Sequence, residues 1–185
     1  MAGLKLAGLC GSLRSGSSNR LLLAEAVRAF GPADYTEADL RLPLYDADLE
    51  ATGMPEPVTR LAALLAAADA VVIASPEYNK APSGVLKNAL DWVSRVQGAA
   101  LAGKPVAIIS AAAGRSGGER GQYALRLCLV PFRARVLTAP EVLIAGANTA
   151  FDAEGRLADP KADEFLGQLM ADLRAEAGRQ ARAGA

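Results

Sequence analysis

A chain of 185 residues sets 20 Lys and Arg against 20 Asp and Glu, has no histidine, and is 51% hydrophobic. It is too apolar to be disordered, lacks the basic surplus of a nucleic-acid binder, and has the length of one domain covering residues 1–185. Cys10 and Cys128 have neither C-x-x-C spacing nor a histidine neighbour, which disfavours a disulfide framework and a zinc site and leaves Cys10 as a small buried hydrophobe. No stretch approaches the ~20 apolar residues that span a bilayer. The opening Met-Ala-Gly-Leu-Lys lacks the apolar segment of a signal peptide, so a cytoplasmic protein with no membrane partner is expected.

The first element is a short buried strand through Leu4, Leu6, Ala7 and Leu9, followed at residues 19–30 by a helix with Leu22, Leu23, Ala26, Val27 and Phe30 on one face. Between them, residues 10–20 read C-G-S-L-R-S-G-S-S-N-R. Glycines, hydroxyls, one amide and the cation Arg14 at the start of a helix make an anion cradle, because backbone N–H groups and the positive end of the helix dipole meet there. A Walker loop needs Gly-Lys-Ser/Thr and a dinucleotide fingerprint needs G-x-G-x-x-G, and neither is present. Two readings stay open at this point: a site for one terminal phosphomonoester, and an ordinary turn with Ser18 as the helix N-cap.

Further along, residues 33–38 form a weak strand candidate. Residues 40–57 are an irregular link rich in Pro, Asp and Gly, of the sort that packs over a neighbouring subunit or rims a site. A helix over residues 58–68 leads into Val71, Val72, Ile73 and Ala74, a run suited to a central parallel strand. Pro76 and Pro82 confine residues 77–81 to a loop, and Ser83 is placed to cap a helix carrying Val85, Leu86, Ala89, Leu90 and Val93. Residues 106–109 repeat the apolar strand, then a small-residue loop precedes a helix through Tyr123, Leu127 and Val130. A fifth strand lies near residues 135–138, with residues 142–144 extending or replacing it. A helix after Pro160 closes the fold, and residues 175–185 are expected to fray.

This alternation predicts an α/β fold with an open parallel sheet and helices on both faces. Ligands of such sheets bind beyond the carboxyl ends of the strands, which brings the loops after strands one, three and four together. A phosphate-like loop, a Pro-Glu-Tyr-Asn loop and a loop of alanines and glycines suit a flavin mononucleotide better than a sugar phosphate, which would want more side-chain hydrogen bonds.

G-S-L-R-S-G-S-S-N at residues 11–19, S-P-E-Y-N at 75–79, L-K-N-A-L-D-W at 86–92 and A-G-R-S-G-G-E-R at 113–120 resemble the NAD(P)H-dependent FMN reductase family, which includes quinone, chromate and azo reductases. The similarity extends to F-D-A-E-G-R-L at 151–157. The resemblance implies a flavodoxin-like, doubly wound, five-stranded parallel sheet in the order 2-1-3-4-5, a non-covalent FMN, and a homodimer or homotetramer. It implies NADPH or NADH as co-substrate and ping-pong transfer to a small-molecule electron acceptor: a quinone, chromate, an azo compound or free flavin.

Carried over by motif, Ser12, Arg14, Ser17, Ser18 and Asn19 hold the phosphate. Pro76, Glu77, Tyr78 and Asn79 line the ring, and Ser110, Ala111, Ala113 and Gly114 run along its other edge. One departure is local: many relatives read I-P-G or V-P-G before L-K-N, where this chain has Ala81, Pro82, Ser83 and Gly84. The cofactor carries the chemistry, so no side-chain acid or base is expected to be essential. The rival, an FMN electron carrier without a nicotinamide site, fits poorly with zero net charge.

Overall fold

The computed structural model describes residues 3–183. The strands β1 (Lys5–Cys10), β3 (Ala70–Ala74) and β6 (Pro105–Ala111) are buried almost throughout, as their continuous apolar sequences require of strands covered on both faces. β1 pairs with β3, and β3 with β6, in parallel register: Leu9 lies opposite Ile73, and Ile73 opposite Ile108. The half-polar β2 (Asp34–Glu37) takes the edge beside β1. On the far side, β7 (Arg135–Val136) pairs with the start of β6 and β8 (Val142–Ile144) with its end. The two candidate segments for the fifth strand are therefore successive pieces of one sheet position, and the observed order is β2-β1-β3-β6 with β7 and β8 beyond.

Period-two alternation divides the core. Leu6, Val72 and Ile109 face a cluster with Leu22, Leu23 and Phe30 of α1 (Ser18–Phe30) and Leu166, Leu169 and Leu173 of α6 (Pro160–Ala183). Leu9, Ile73 and Ile108 face Leu61 and Leu65 of α3 (Glu56–Ala67), Leu86 and Leu90 of α4 (Gly84–Arg95), and Leu125 and Leu129 of α5 (Glu119–Leu129). Each such side chain contributes about 1.5–3 kcal/mol on burial. Among the described residues, no helix is long and apolar enough to cross a membrane.

Three local expectations change. The link at residues 40–57 contains α2 (Ala47–Thr52) and is pinned to its own chain: Trp92 Nε1 and Asn88 Nδ2 both donate to the Pro43 carbonyl, at 2.8 and 2.9 Å, and the Tyr45 ring stands edge-on to Trp92. Residues 77–82 form a small antiparallel hairpin, β4 (Glu77–Tyr78) with β5 (Ala81–Pro82), which the prolines permit because Pro76 lies outside the ladder and Pro82, with no N–H to donate, ends it. The end expected to fray from residue 175 is helical through Ala183, because its Ala, Glu and Arg residues favour helix and Ala177 is buried. Residues 184 and 185 lie outside the described residues.

The F-D-A-E-G-R-L segment has a structural role. Phe151 and Leu157 bridge, Asp152 accepts the Glu154 and Arg156 amides at 3.0 and 2.8 Å, and the resulting turn delivers Arg156 to Glu25, which Arg28 also grips at 3.0 Å. Burial alone would push the Glu25 carboxyl up, but hydrogen bonds from Arg28 and Arg156 outweigh it and hold it below its ordinary value. A carboxyl lowered in the folded state stabilises fully above its unfolded value and loses that contribution as pH falls through the folded one. Urea midpoints are therefore expected to fall on acidification below about pH 4.5, and Glu25→Gln is expected to flatten part of that fall while lowering stability at neutral pH.

Candidate functional site

Because β1, β3, β6 and β8 run parallel, their carboxyl ends share one edge of the sheet, and the loops leaving them enclose a cavity of about 380 Å³. Ser12, Arg14, Ser17, Ser18 and Asn19 line it from the first loop, Pro76, Glu77 and Tyr78 from the third, and Ala111, Ala113 and Gly114 from the fourth. Two sequence-predicted residues stand outside the lining. Ser110 is fully buried, its hydroxyl donating to the Gly117 carbonyl at 2.6 Å and accepting from Gln122 Nε2 at 3.0 Å. Asn79 sits at the hairpin tip.

Ala112 lines the cavity with its neighbours, and Ser116, Ala147 and Asn148 line it without having been singled out in the sequence. The last two follow β8, where G-A-N-T is as clear a turn signal as those after the other strands.

The first loop is built for an anion. The amide of Gly11 continues the strand ladder to the Ala74 carbonyl at 2.8 Å, and a Cβ at Gly11 would sit 2.9 Å from Ser83 Oγ. α1 opens one residue earlier than expected: Ser17 is the N-cap, and its hydroxyl makes no capping bond. The Arg20 and Leu21 amides bond the Ser17 carbonyl, which leaves the Ser18 and Asn19 amides as donors of the helix end with no partner among the described residues.

Three guanidinium groups reach loop carbonyls at 3.4 Å: Arg20 at Ser12, Arg41 at Leu13 and Arg14 at Gly16. Arg20 and Arg41 are neutralised by Glu37 and Asp39, whereas Arg14 has no carboxylate partner among the described residues. The loop end of the cavity is thus net positive. Cys10, just beneath, is buried, and burial pushes its thiol up, so it stands there as a neutral apolar group.

Polar side chains lining the cavity are largely occupied with main chain. Asn19 is 3% exposed, and its carboxamide donates to the Ala111 carbonyl at 2.8 Å and accepts the Ala111 amide at 3.0 Å. Ser18 Oγ donates to the Ala147 carbonyl at 3.2 Å. Glu77 Oε2 accepts the Gly121 amide at 2.9 Å, serving as the cap of α5 that its own N-cap, Gly118, cannot provide. Gly117 and Gly118 are required beneath: at φ +61° and +95°, Cβ atoms there would lie 2.6 Å from the Leu143 carbonyl carbon and 2.8 Å from Ser110 Cβ. What remains open to a ligand is an anion-binding end, a wall of Ala111, Ala113 and Gly114, and Pro76 with the 56% exposed Tyr78 at the rim.

A sheet in flavodoxin-like order with a phosphate-type loop after its first strand defines a flavodoxin-like α/β protein. Residues 4–149 match the family described as NADPH-dependent FMN reductase. The chain is 47% identical over 172 residues to an NAD(P)H-dependent FMN reductase of Pseudomonas aeruginosa, covering 92% of this chain and 93% of that one. To a quinone reductase of Escherichia coli it is 41% identical over 175 residues, 91% and 93% of the two chains. A solved structure, the flavoenzyme NAD(P)H:acceptor oxidoreductase FerB of Paracoccus denitrificans, superposes with a TM-score of 0.86 at 31% identity over 95% of this chain and 98% of that one. The chain belongs to the NADPH-dependent FMN reductase family, whose members are oxidoreductases that use FMN and NAD(P)H.

The rim hairpin turns through Asn79 and Lys80 alone, at φ +52° and +65°. A two-residue turn of this hand wants Asn followed by Gly, and left-handed backbone costs a side-chain-bearing residue about 1–2 kcal/mol, less for Asn. Lys80→Gly relieves that strain at some cost in unfolded-chain entropy. Urea denaturation is expected to show a net gain of about 0.5–1 kcal/mol, with Asn79→Ala destabilising.

Proposed function

We propose that the chain binds one FMN in this cavity and uses NADPH or NADH to reduce a small-molecule acceptor, of which quinones are the leading class and chromate, azo compounds and free flavin are further candidates. The observation that carries the reading is the pairing, in one cavity, of a net-positive donor-rich end with a wall of methyl groups and main chain. A volume of about 380 Å³ lies within the range of small-molecule sites. Gly16 and Gly114 have open space where a Cβ would stand, so a ligand can approach their backbone closely.

In this reading Arg14, the Ser12 and Ser17 hydroxyls, and the amides of Ser18 and Asn19 hold the phosphate. Pro76, the Glu77 backbone and Tyr78 border one side of the ring system; Ala111, Ala113 and Gly114 border the other. Asn79 and Ser110 act from outside, as the hairpin turn and as a brace beneath the Gly117 turn.

When bound, FMN would supply the two-electron redox chemistry that links nicotinamide to acceptor in a ping-pong reaction. The chain's own residues bind, orient and exclude. The Glu77 carboxylate is engaged with Gly121 and the chain has no histidine, so neither a free carboxylate group nor an imidazole lines the cavity.

The same reading makes the chain a single domain acting in the cytoplasm and assembling as a homodimer or homotetramer. Tyr123, Leu127 and Val130, spaced along one side of α5 and its extension and 50–73% exposed, support the assembly.

Purified protein is expected to be yellow, and NADPH or NADH is expected to bleach it. Arg14→Ala should weaken FMN about tenfold, near the 1.4 kcal/mol of one charge-assisted hydrogen bond, with riboflavin, which lacks the phosphate, unaffected. Fluorescence titration of the flavin-free protein reads both. A protein that never retains FMN defeats the reading.

A further inference from the structure

The two residues that open α1 reach two different loops. Asn19 pairs through both polar atoms of its side chain with the main chain of Ala111, the last residue of β6. Ser18 donates to the Ala147 carbonyl after β8. Those two loops also bond one another: the Ala112 amide donates to the Ile144 carbonyl at 2.9 Å and the Ala147 amide to the Ala112 carbonyl at 3.1 Å. The first turn of α1 thus closes a ring of hydrogen bonds with the ends of β6 and β8.

Within this ring Asn19 is the member with no substitute. Its carboxamide supplies a donor and an acceptor at the spacing of a peptide group, so it satisfies the Ala111 amide and carbonyl as another strand would. Removing it leaves two main-chain polar groups unpaired in a buried place, a costly condition they would relieve by shifting. A shift at Ala111 moves Ala113 and Gly114 with it.

We propose that Asn19 is a positioning residue that fixes the Ala111 to Gly114 wall relative to the anion-binding end, and so acts on the whole flavin through the wall, in place of the side-chain phosphate contact its motif suggests. The proposal depends on the FMN reading above.

Flavin-free wild type, Arg14→Ala and Asn19→Ala are each titrated with FMN and with riboflavin by fluorescence quenching, and the visible absorption of each saturated protein is recorded. Asn19→Ala is expected to weaken both flavins by the same factor, about tenfold or more, and to shift the bound flavin's bands because the wall has moved against the ring. Arg14→Ala is expected to weaken FMN alone.

A loss in Asn19→Ala confined to FMN makes Asn19 a phosphate ligand and overturns the proposal. So do unchanged affinities, and so does an equal loss with unshifted bands, the mark of a merely structural role. If Asn19→Ala fails to fold, Asn19→Gln carries the same comparison, since the longer side chain cannot make both bonds in register. Wild type that takes up neither flavin defeats the FMN reading itself, a result recognisable before any variant is compared.

Discussion

Burial of the central strands on both faces is the constraint from which the remaining architecture follows. β1, β3 and β6 carry apolar side chains in both directions, so helices must cover each side, and a parallel strand can be followed by another only through a crossover. Every crossover returns the chain to the same starting edge. The opposite edge then collects all the strand-to-helix turns, whatever their sequences. Placement of the cavity is thus a consequence of hydrophobic patterning in Val71 to Ala74 and Val106 to Ile109, residues that never touch it.

What the loops add is rigidity by exchange of polar groups between neighbours. Glu77 caps α5, Asn19 completes Ala111, Ser18 holds Ala147, and Ser110 holds Gly117. The first three bonds join segments far apart in sequence and the fourth braces the turn after β6, so the site behaves as one frame. That economy suits a member of this family, because a bound cofactor brings the reactivity and asks the protein for shape and donors. Titratable side chains left free beside it would add competing chemistry.

The alternation of strands and helices was readable because apolar runs of four or five residues recur between helical patterns, the first and third loops announced themselves through Gly, Ser and Pro, and the spatial order of the strands came from the family resemblance. Individual polar roles were harder to read. A motif places Asn19 among phosphate ligands, but whether its amide faces a ligand or the end of β6 depends on how closely α1 packs against that strand, and spacing does not encode packing. Glu77 posed the same question, and the bare glycine at the start of α5 was the signal that a carboxylate from elsewhere was wanted. The hairpin at residues 77–82 escaped because prolines forbid long strands and say nothing of strands two residues long. The helix beyond residue 175 escaped because alanine-rich ends read as frayed unless one knows that Ala177 meets the core.

The rim hairpin is hung from α5 by Glu77 and is no part of the main sheet. Its outer residues can therefore be exchanged without disturbing strand register or either half of the core. Sequence change at the rim of the cavity is thereby uncoupled from the floor beneath it.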